Sequence, residues 1–155
     1  MAGPVGAPPA SCPSTPGQEV VERTNAERAS RGLPPLLVDL RLVGAALAHS
    51  RDLAASGGDG HTGSDGSLPD ERAEREGYGW TFLGENVALG WTTPAEVVEG
   101  WMRSAVHREN VLAPEARHLG VGHVRRTGSV WGDYWTALYG DSREARAPPP
   151  GGCHP

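Results

Sequence analysis

Helix signals fill the first two-thirds of this 155-residue chain, and a strand hairpin fills the last third. That order constrains the fold more than any other feature. Parallel α/β folds alternate strand and helix along their length, whereas helices followed by paired strands predict an α+β chain with an antiparallel sheet. In Thr15-Pro16-Gly17-Gln18 a capping threonine precedes a proline, and glutamine follows three residues after the cap. The helix runs through Val20, Val21, Thr24 and Ala26 to a stop at Gly32. Leu33-Pro34-Pro35-Leu36 reads as an extended connector. Asp39 caps a second helix, with Leu40, Val43, Ala46, Leu47 and Leu53 at helical spacing and Gly57-Gly58 as its stop. A short charged helix spans Asp70 to Glu76. Thr93-Pro94-Ala95-Glu96 repeats the capping grammar and opens a helix to about Ser104, its apolar face made by Val97, Val98 and Trp101. Leu119–Val124 and Val130–Tyr139 are apolar and aromatic runs around a turn at Thr127-Gly128-Ser129.

Composition narrows the function. Residues 1–14 and 143–155 are rich in Pro, Ala and Gly and read as flexible segments, so one domain over 15–142 is expected. The net charge is -5 and all basic residues are Arg, with no basic stripe interleaved with aromatics, which argues against nucleic acid. No apolar run is long enough for a membrane span. The first residues lack the charged and apolar regions of a signal peptide, so either the protein is cytosolic or its leader is not part of this chain. Cys12 and Cys153 have no metal-spacing partner; they are either a clasp between the chain ends, implying an oxidising compartment, or two unpaired thiols.

Several chemistries fail on spacing. There is no G-x-S-x-G elbow, P-loop, dinucleotide fingerprint or H-E-x-x-H. His107-Arg108-Glu109 matches the H-x-E of zinc deaminases, but the accompanying P-C-x-x-C is absent. What remains is His61 in a Gly-rich loop (residues 57–69), Glu85 in Gly84-Glu85-Asn86-Val87-Ala88, and His107 in Ser104-Ala105-Val106-His107. Two imidazoles and a carboxylate suit a divalent cation such as zinc, filling three positions and leaving one open. They equally suit acid/base work, with the carboxylate fixing a histidine tautomer. The bland alternatives stand beside these: a solvated His61, a Glu85-Asn86 turn tying down backbone amides, and a His107 just past a helix end, complementing its dipole. His49 on the second helix is expected at the surface or partly buried, without a role. His118 and His123 are expected to flank a strand.

In order and spacing, the chain resembles the CAP superfamily (cysteine-rich secretory proteins, antigen 5 and pathogenesis-related 1 proteins) in its bacterial short form. The resemblance rests on Asn25-x-x-Arg28-x-x-x-Gly32-Leu33-x-x-Leu36, Ala46 through Asp52, His61, Gly77-Tyr78 and Gly84 to Ala88. It continues through the Thr93-Pro94 helix with Trp101-Met102, Ser104-x-x-His107-Arg108-x-Asn110-Val111-Leu112, Gly120-Val121-Gly122 and Tyr134-Trp135-Thr136. It implies a three-layer α-β-α sandwich whose cleft is lined by two His and two Glu. His61, His107 and Glu85 supply three of these, and Ser104 stands where the second acid falls, so cation affinity is expected to drop by one charge and one oxygen donor.

The resemblance also implies an extracellular or cell-envelope protein whose cleft takes a small molecule, lipid or envelope ligand or a divalent cation. No cofactor is required and no reaction is assigned. A monomer is the working expectation. The rival class is a hydrolase of peptide or envelope material, metal-assisted or using His/Glu acid-base chemistry, with Ser104 activated by His107 as its weakest form. A third reading is a scaffold whose loop 57–69 binds another protein.

Overall fold

Six consecutive residues of one strand set the architecture. In the computed structural model, which describes residues 14–144, Trp135, Ala137 and Tyr139 leave one face of the strand and Tyr134, Thr136 and Leu138 the other; all are buried. A strand buried on both faces needs helices on both. The described elements are α1 (Pro16–Ala29), β1 (Leu37–Val38), α2 (Leu40–Ser56), α3 (Pro69–Arg75), β2 (Trp80–Leu89), α4 (Pro94–Arg103), α5 (Ala105–Val111), β3 (His118–Arg125) and β4 (Asp133–Ser142). The sheet order is β1-β3-β4-β2. β4 pairs antiparallel with both β3 and β2, while the two-residue β1 adds a parallel pairing to β3. This is the expected α-β-α sandwich around an antiparallel sheet.

Each helical layer has its own apolar contacts. On one face Val20 of α1, Val97 and Trp101 of α4 and Val111 of α5 pack with Trp135 and Tyr139. On the other, Leu42, Ala45 and Ala46 of α2 and Ala73 of α3 pack with Leu138, and Leu53 and Ala54 pack with Tyr134. α2 lies directly on the sheet because β3 offers it glycines: a Cβ at Gly120 or Gly122 would overlap the backbone of Leu42–Val43 or Ala46–Leu47. Arg28 ties the first layer together. Its fully buried guanidinium donates to the carbonyls of Pro34 (3.0 Å), Val111 (3.0 Å) and Ala113 (2.9 Å), joining α1 to the end of α5.

The caps follow the sequence. Thr15 with Gln18, and Thr93 with Glu96, form reciprocal capping boxes, and α2 ends on Gly57 at φ 73°. Four local expectations change. Glu85-Asn86, for which a turn was one alternative, lies in the middle of a ten-residue strand. His107 does not trail a helix; Ser104, extended at φ -89° and ψ 122°, ends α4 and starts α5, which carries His107. His118 and His123 lie within β3 rather than flanking it. His49 is fully buried. Cys12 and Cys153 lie outside the described residues.

Candidate functional site

β2 is an edge strand, and side chains of neighbouring strand residues leave opposite faces. Glu85 is paired with Leu138 and so faces the α2/α3 layer; Asn86 is paired with Ala137 and faces the α5 layer. One dipeptide at the sheet edge thereby reaches both helical layers. Asn86 Nδ2 donates to the His107 carbonyl (3.0 Å), and Asn110 Nδ2 donates to the Glu85 carbonyl (3.1 Å) and to Asn86 Oδ1 (2.8 Å). These bonds fasten α5, and with it His107, against the strand and satisfy a carbonyl on its open side. Gly84 is required for the approach, since a Cβ there would overlap the Asn110 carboxamide.

On the other face, His61 Nδ1 donates to Glu85 Oε1 at 2.8 Å. The second carboxylate oxygen accepts from Arg72 Nη2, also at 2.8 Å. The Glu85 side chain is 2 % exposed and Arg72 6 %, whereas His61 is 52 % exposed, so a buried ion pair supports a histidine at the surface. Arg72 also donates to the carbonyls of Ser67 (2.7 Å) and His61 (2.9 Å), which holds the loop between α2 and α3 in place. His49 stands behind the pair, its Nε2 2.9 Å from the Gly60 carbonyl and 3.9 Å from Glu85 Oε1.

The histidines are tuned in opposite directions. The hydrogen bond to Glu85 raises His61 above its ordinary value. Burial lowers His107, and the neighbouring His61 lowers it further. Burial likewise lowers His49 and keeps it neutral. The imidazole of His107 has no hydrogen-bond partner among the described residues, and His61 retains Nε2 as its free nitrogen.

Of the four residues expected at the site, His61 and Glu85 are bonded, His107 is close enough to feel the charge of His61, and Ser104 sits half-buried at the α4–α5 junction. No hydrogen bond joins the Ser104 hydroxyl to His107 among the described residues. Each oxygen of Glu85 accepts one hydrogen bond, from His61 and from Arg72, the arrangement in which a carboxylate fixes a histidine tautomer. Among the described residues no group of three or more His, Cys, Asp and Glu gathers as a cation cage. His61 and His107 each keep an imidazole nitrogen without a hydrogen-bond partner among the described residues. Sequence reasoning missed Arg72, Asn110 and His49. His49 had a signal, since it continues the α2 stripe of Leu42, Ala45, Ala46 and Leu53; Arg72, within a run of charges, had none.

An α-β-α sandwich with a bonded His61–Glu85 pair at the edge of its sheet matches a CAP-type domain. The model of the CAP (cysteine-rich secretory protein) family matches residues 21–139. The chain belongs to that family. It is 41 % identical over 114 residues to YkwD of Bacillus subtilis and 32 % identical over 114 residues to the membrane protein YlbC of the same organism. Those matches cover 74 % and 73 % of this chain but 44 % and 33 % of the relatives, so the chain spans less than half of their length. Among solved structures, it resembles an extracellular SCP-domain protein of Bacillus anthracis, with TM-score 0.72, 26 % identity, and 83 % of this chain and 44 % of that one covered. An outer surface protein of Borrelia burgdorferi shares the fold at TM-score 0.73 and 21 % identity, with 80 % and 90 % covered. No helix among the described residues is long and apolar enough to cross a membrane.

Proposed function

We propose that the cleft formed by His61, Glu85 and His107, with Ser104 at its corner, binds a small ligand or a divalent cation outside the cell or in the cell envelope. The observation that carries this reading is the division of labour around Glu85. The carboxylate takes the Nδ1 proton of His61, leaving Nε2 free at the surface, while His107 stays neutral and unbonded. Both rings are then ready to donate lone pairs, and a bound cation would add a positive charge that polarises a ligand oxygen. Ser104 in the corner makes the site less anionic than one with a second carboxylate. Its ligand is therefore a small molecule, lipid or envelope component with an exposed oxygen, or a weakly held cation. The extracellular description of the Bacillus anthracis relative supports the location.

Proton competition tests it. His61 titrates above its ordinary value of about 6.5, so its lone pair is lost as pH falls through that raised pKa, and His107 follows only at lower pH. Zinc affinity is expected to be constant at high pH and to start falling while the pH is still above 6.5, at up to tenfold per pH unit. Glu85→Gln lowers the His61 pKa and moves the onset to more acid pH. A flat profile from pH 5 to 8 contradicts the proposal.

A further inference from the structure

One section of the β2 edge is open. Asn110 Nδ2 donates to the Glu85 carbonyl (3.1 Å) and Trp101 Nε1 to the Val87 carbonyl (3.3 Å), so the odd-numbered residues of β2 turn their backbone groups away from β4. Leu83 belongs to the same set. Its partner on β4, Gly140, gives its carbonyl to the Arg117 N–H on the β3 side, so the Leu83–Gly140 pair exchanges no hydrogen bond. The Leu83 N–H and C=O therefore face outward, and neither has a partner among the described residues. The open section is short. The irregularity between Trp80 and Phe82 interrupts it on one side, and the Asn110 and Trp101 side chains cover the edge on the other.

An unpaired donor and acceptor on one edge residue form a template for another extended chain. A strand laid along this edge sends alternate side chains to opposite faces, and each face offers a hollow. On the α5 side, one of about 520 Å³ is floored by Phe82, Leu112 and Ala113. On the α3 side, one of about 510 Å³ lies against Trp80, which is 37 % exposed and donates from Nε1 to Glu74 (3.1 Å). Glu74 and Glu144 outnumber Arg143 in this second hollow, and Glu109 and Glu115 outnumber Arg108 in the first. Four carboxylates against two guanidiniums favour basic side chains, one of which can lie over the Trp80 ring. Phe82 and Leu112 favour an apolar one. A second copy of the chain suits the edge poorly. It carries the same net charge of -5, and its own β2 has the same irregularity and the same covering side chains.

We infer that the open edge of β2 docks a short extended peptide in which basic and apolar side chains alternate, paired through the Leu83 N–H and C=O. A peptide residue opposite Leu83 shares its face, the α3 side, so the basic residues are the ones whose backbone pairs with Leu83. The assignment does not rest on the His61/His107 cleft, and zinc binding there can fail while it holds.

The probe is the end-blocked peptide Lys-Val-Lys-Val-Lys-Val-Lys, titrated into the whole ¹⁵N-labelled chain. Saturable amide shifts are expected at residues 81–85 and 105–115, with the Leu83 amide proton moving downfield as it gains an acceptor. N-methylation of the lysines removes the donor to the Leu83 carbonyl and weakens binding roughly tenfold. N-methylation of the valines, whose N–H groups point away from β2, leaves it unchanged. Glu74→Lys, at an exposed position of α3, weakens the Lys-Val peptide about threefold, the worth of a surface charge pair, whereas Glu22→Lys on α1 does not. A Glu-Val peptide of the same length gives no shift. Absence of a saturable shift with the Lys-Val peptide overturns the proposal. So do equal affinities for the two N-methylated forms, equal binding of the Glu-Val peptide, or equal effects of Glu22→Lys and Glu74→Lys. Line broadening at residues 81–85 as the free chain is concentrated overturns it too, because a second copy then occupies the edge.

Discussion

Replacing Arg72 with methionine lowers the free energy of unfolding by about 3–5 kcal/mol, the range for removing one partner of a buried ion pair. The loss exceeds that of a surface pair because Glu85 keeps its charge inside the protein, and only a half-exposed histidine remains beside it. Two further bonds to the His61 and Ser67 carbonyls go with it, freeing the loop that carries His61. Denaturant unfolding at pH 7.5 reads the change as a lower midpoint with an unchanged slope. Adding Glu85→Leu to Arg72→Met recovers much of the stability, because no charge is then buried alone. Zinc binding is not recovered, since nothing then orients His61. A shift below about 1 kcal/mol for Arg72→Met would mean that Glu85 is not held by this pair.

Arg28→Ala has an effect of similar size for a different reason. The guanidinium satisfies three carbonyls, from Pro34, Val111 and Ala113, where the chain leaves α1 and where α5 ends. Two of these bonds are buried, and each buried acceptor left open costs about 1–3 kcal/mol. With the lost packing of the side-chain stem, about 3–5 kcal/mol is expected in the same assay. Arg28→Lys recovers only part, because a single ammonium cannot reproduce a fork that reaches carbonyls on two sides. Because α5 carries His107, the Ala variant also weakens zinc binding while leaving the His61–Glu85 bond in place. Retention of full stability would show that the three carbonyls find other partners.

How far the fold was legible follows from where its information is local. α1, α2 and α4 announce themselves through Thr15, Asp39 and Thr93 as caps and through their apolar spacing, so their starts fall where the sequence puts them. The hairpin of β3 and β4 is marked by Gly128 at its turn, at φ 80°. β2 left no such mark. Its centre is Gly84-Glu85-Asn86, residues of poor strand propensity whose placement is decided by pairing with β4 and by the Asn110 side chain, contacts distant in sequence. The break at Ser104 was equally hidden, because a helix that stops and restarts on one extended residue keeps much the same composition on both sides.

The site divides in the same way. Glu85 and His107 stood out as polar residues in an apolar setting and His61 as the histidine of a Gly-rich loop, and the resemblance to the CAP superfamily grouped them. The carboxylate fixing a histidine tautomer was among the sequence expectations; what the sequence could not convey is that Glu85 is itself held by Arg72, arriving from α3. Nor could it convey the burial partners of His49. Charge on a short helix reads as solvation until the tertiary contact is seen.

The most direct test of the cleft is a calorimetric zinc titration at pH 7.5 of the wild-type chain and of the His61→Ala, His107→Ala variant. One zinc per chain for the wild type and none for the variant, with both folded, is the predicted result. Equal binding by the two proteins, or no binding by the wild type, would contradict a cation site built from these imidazoles.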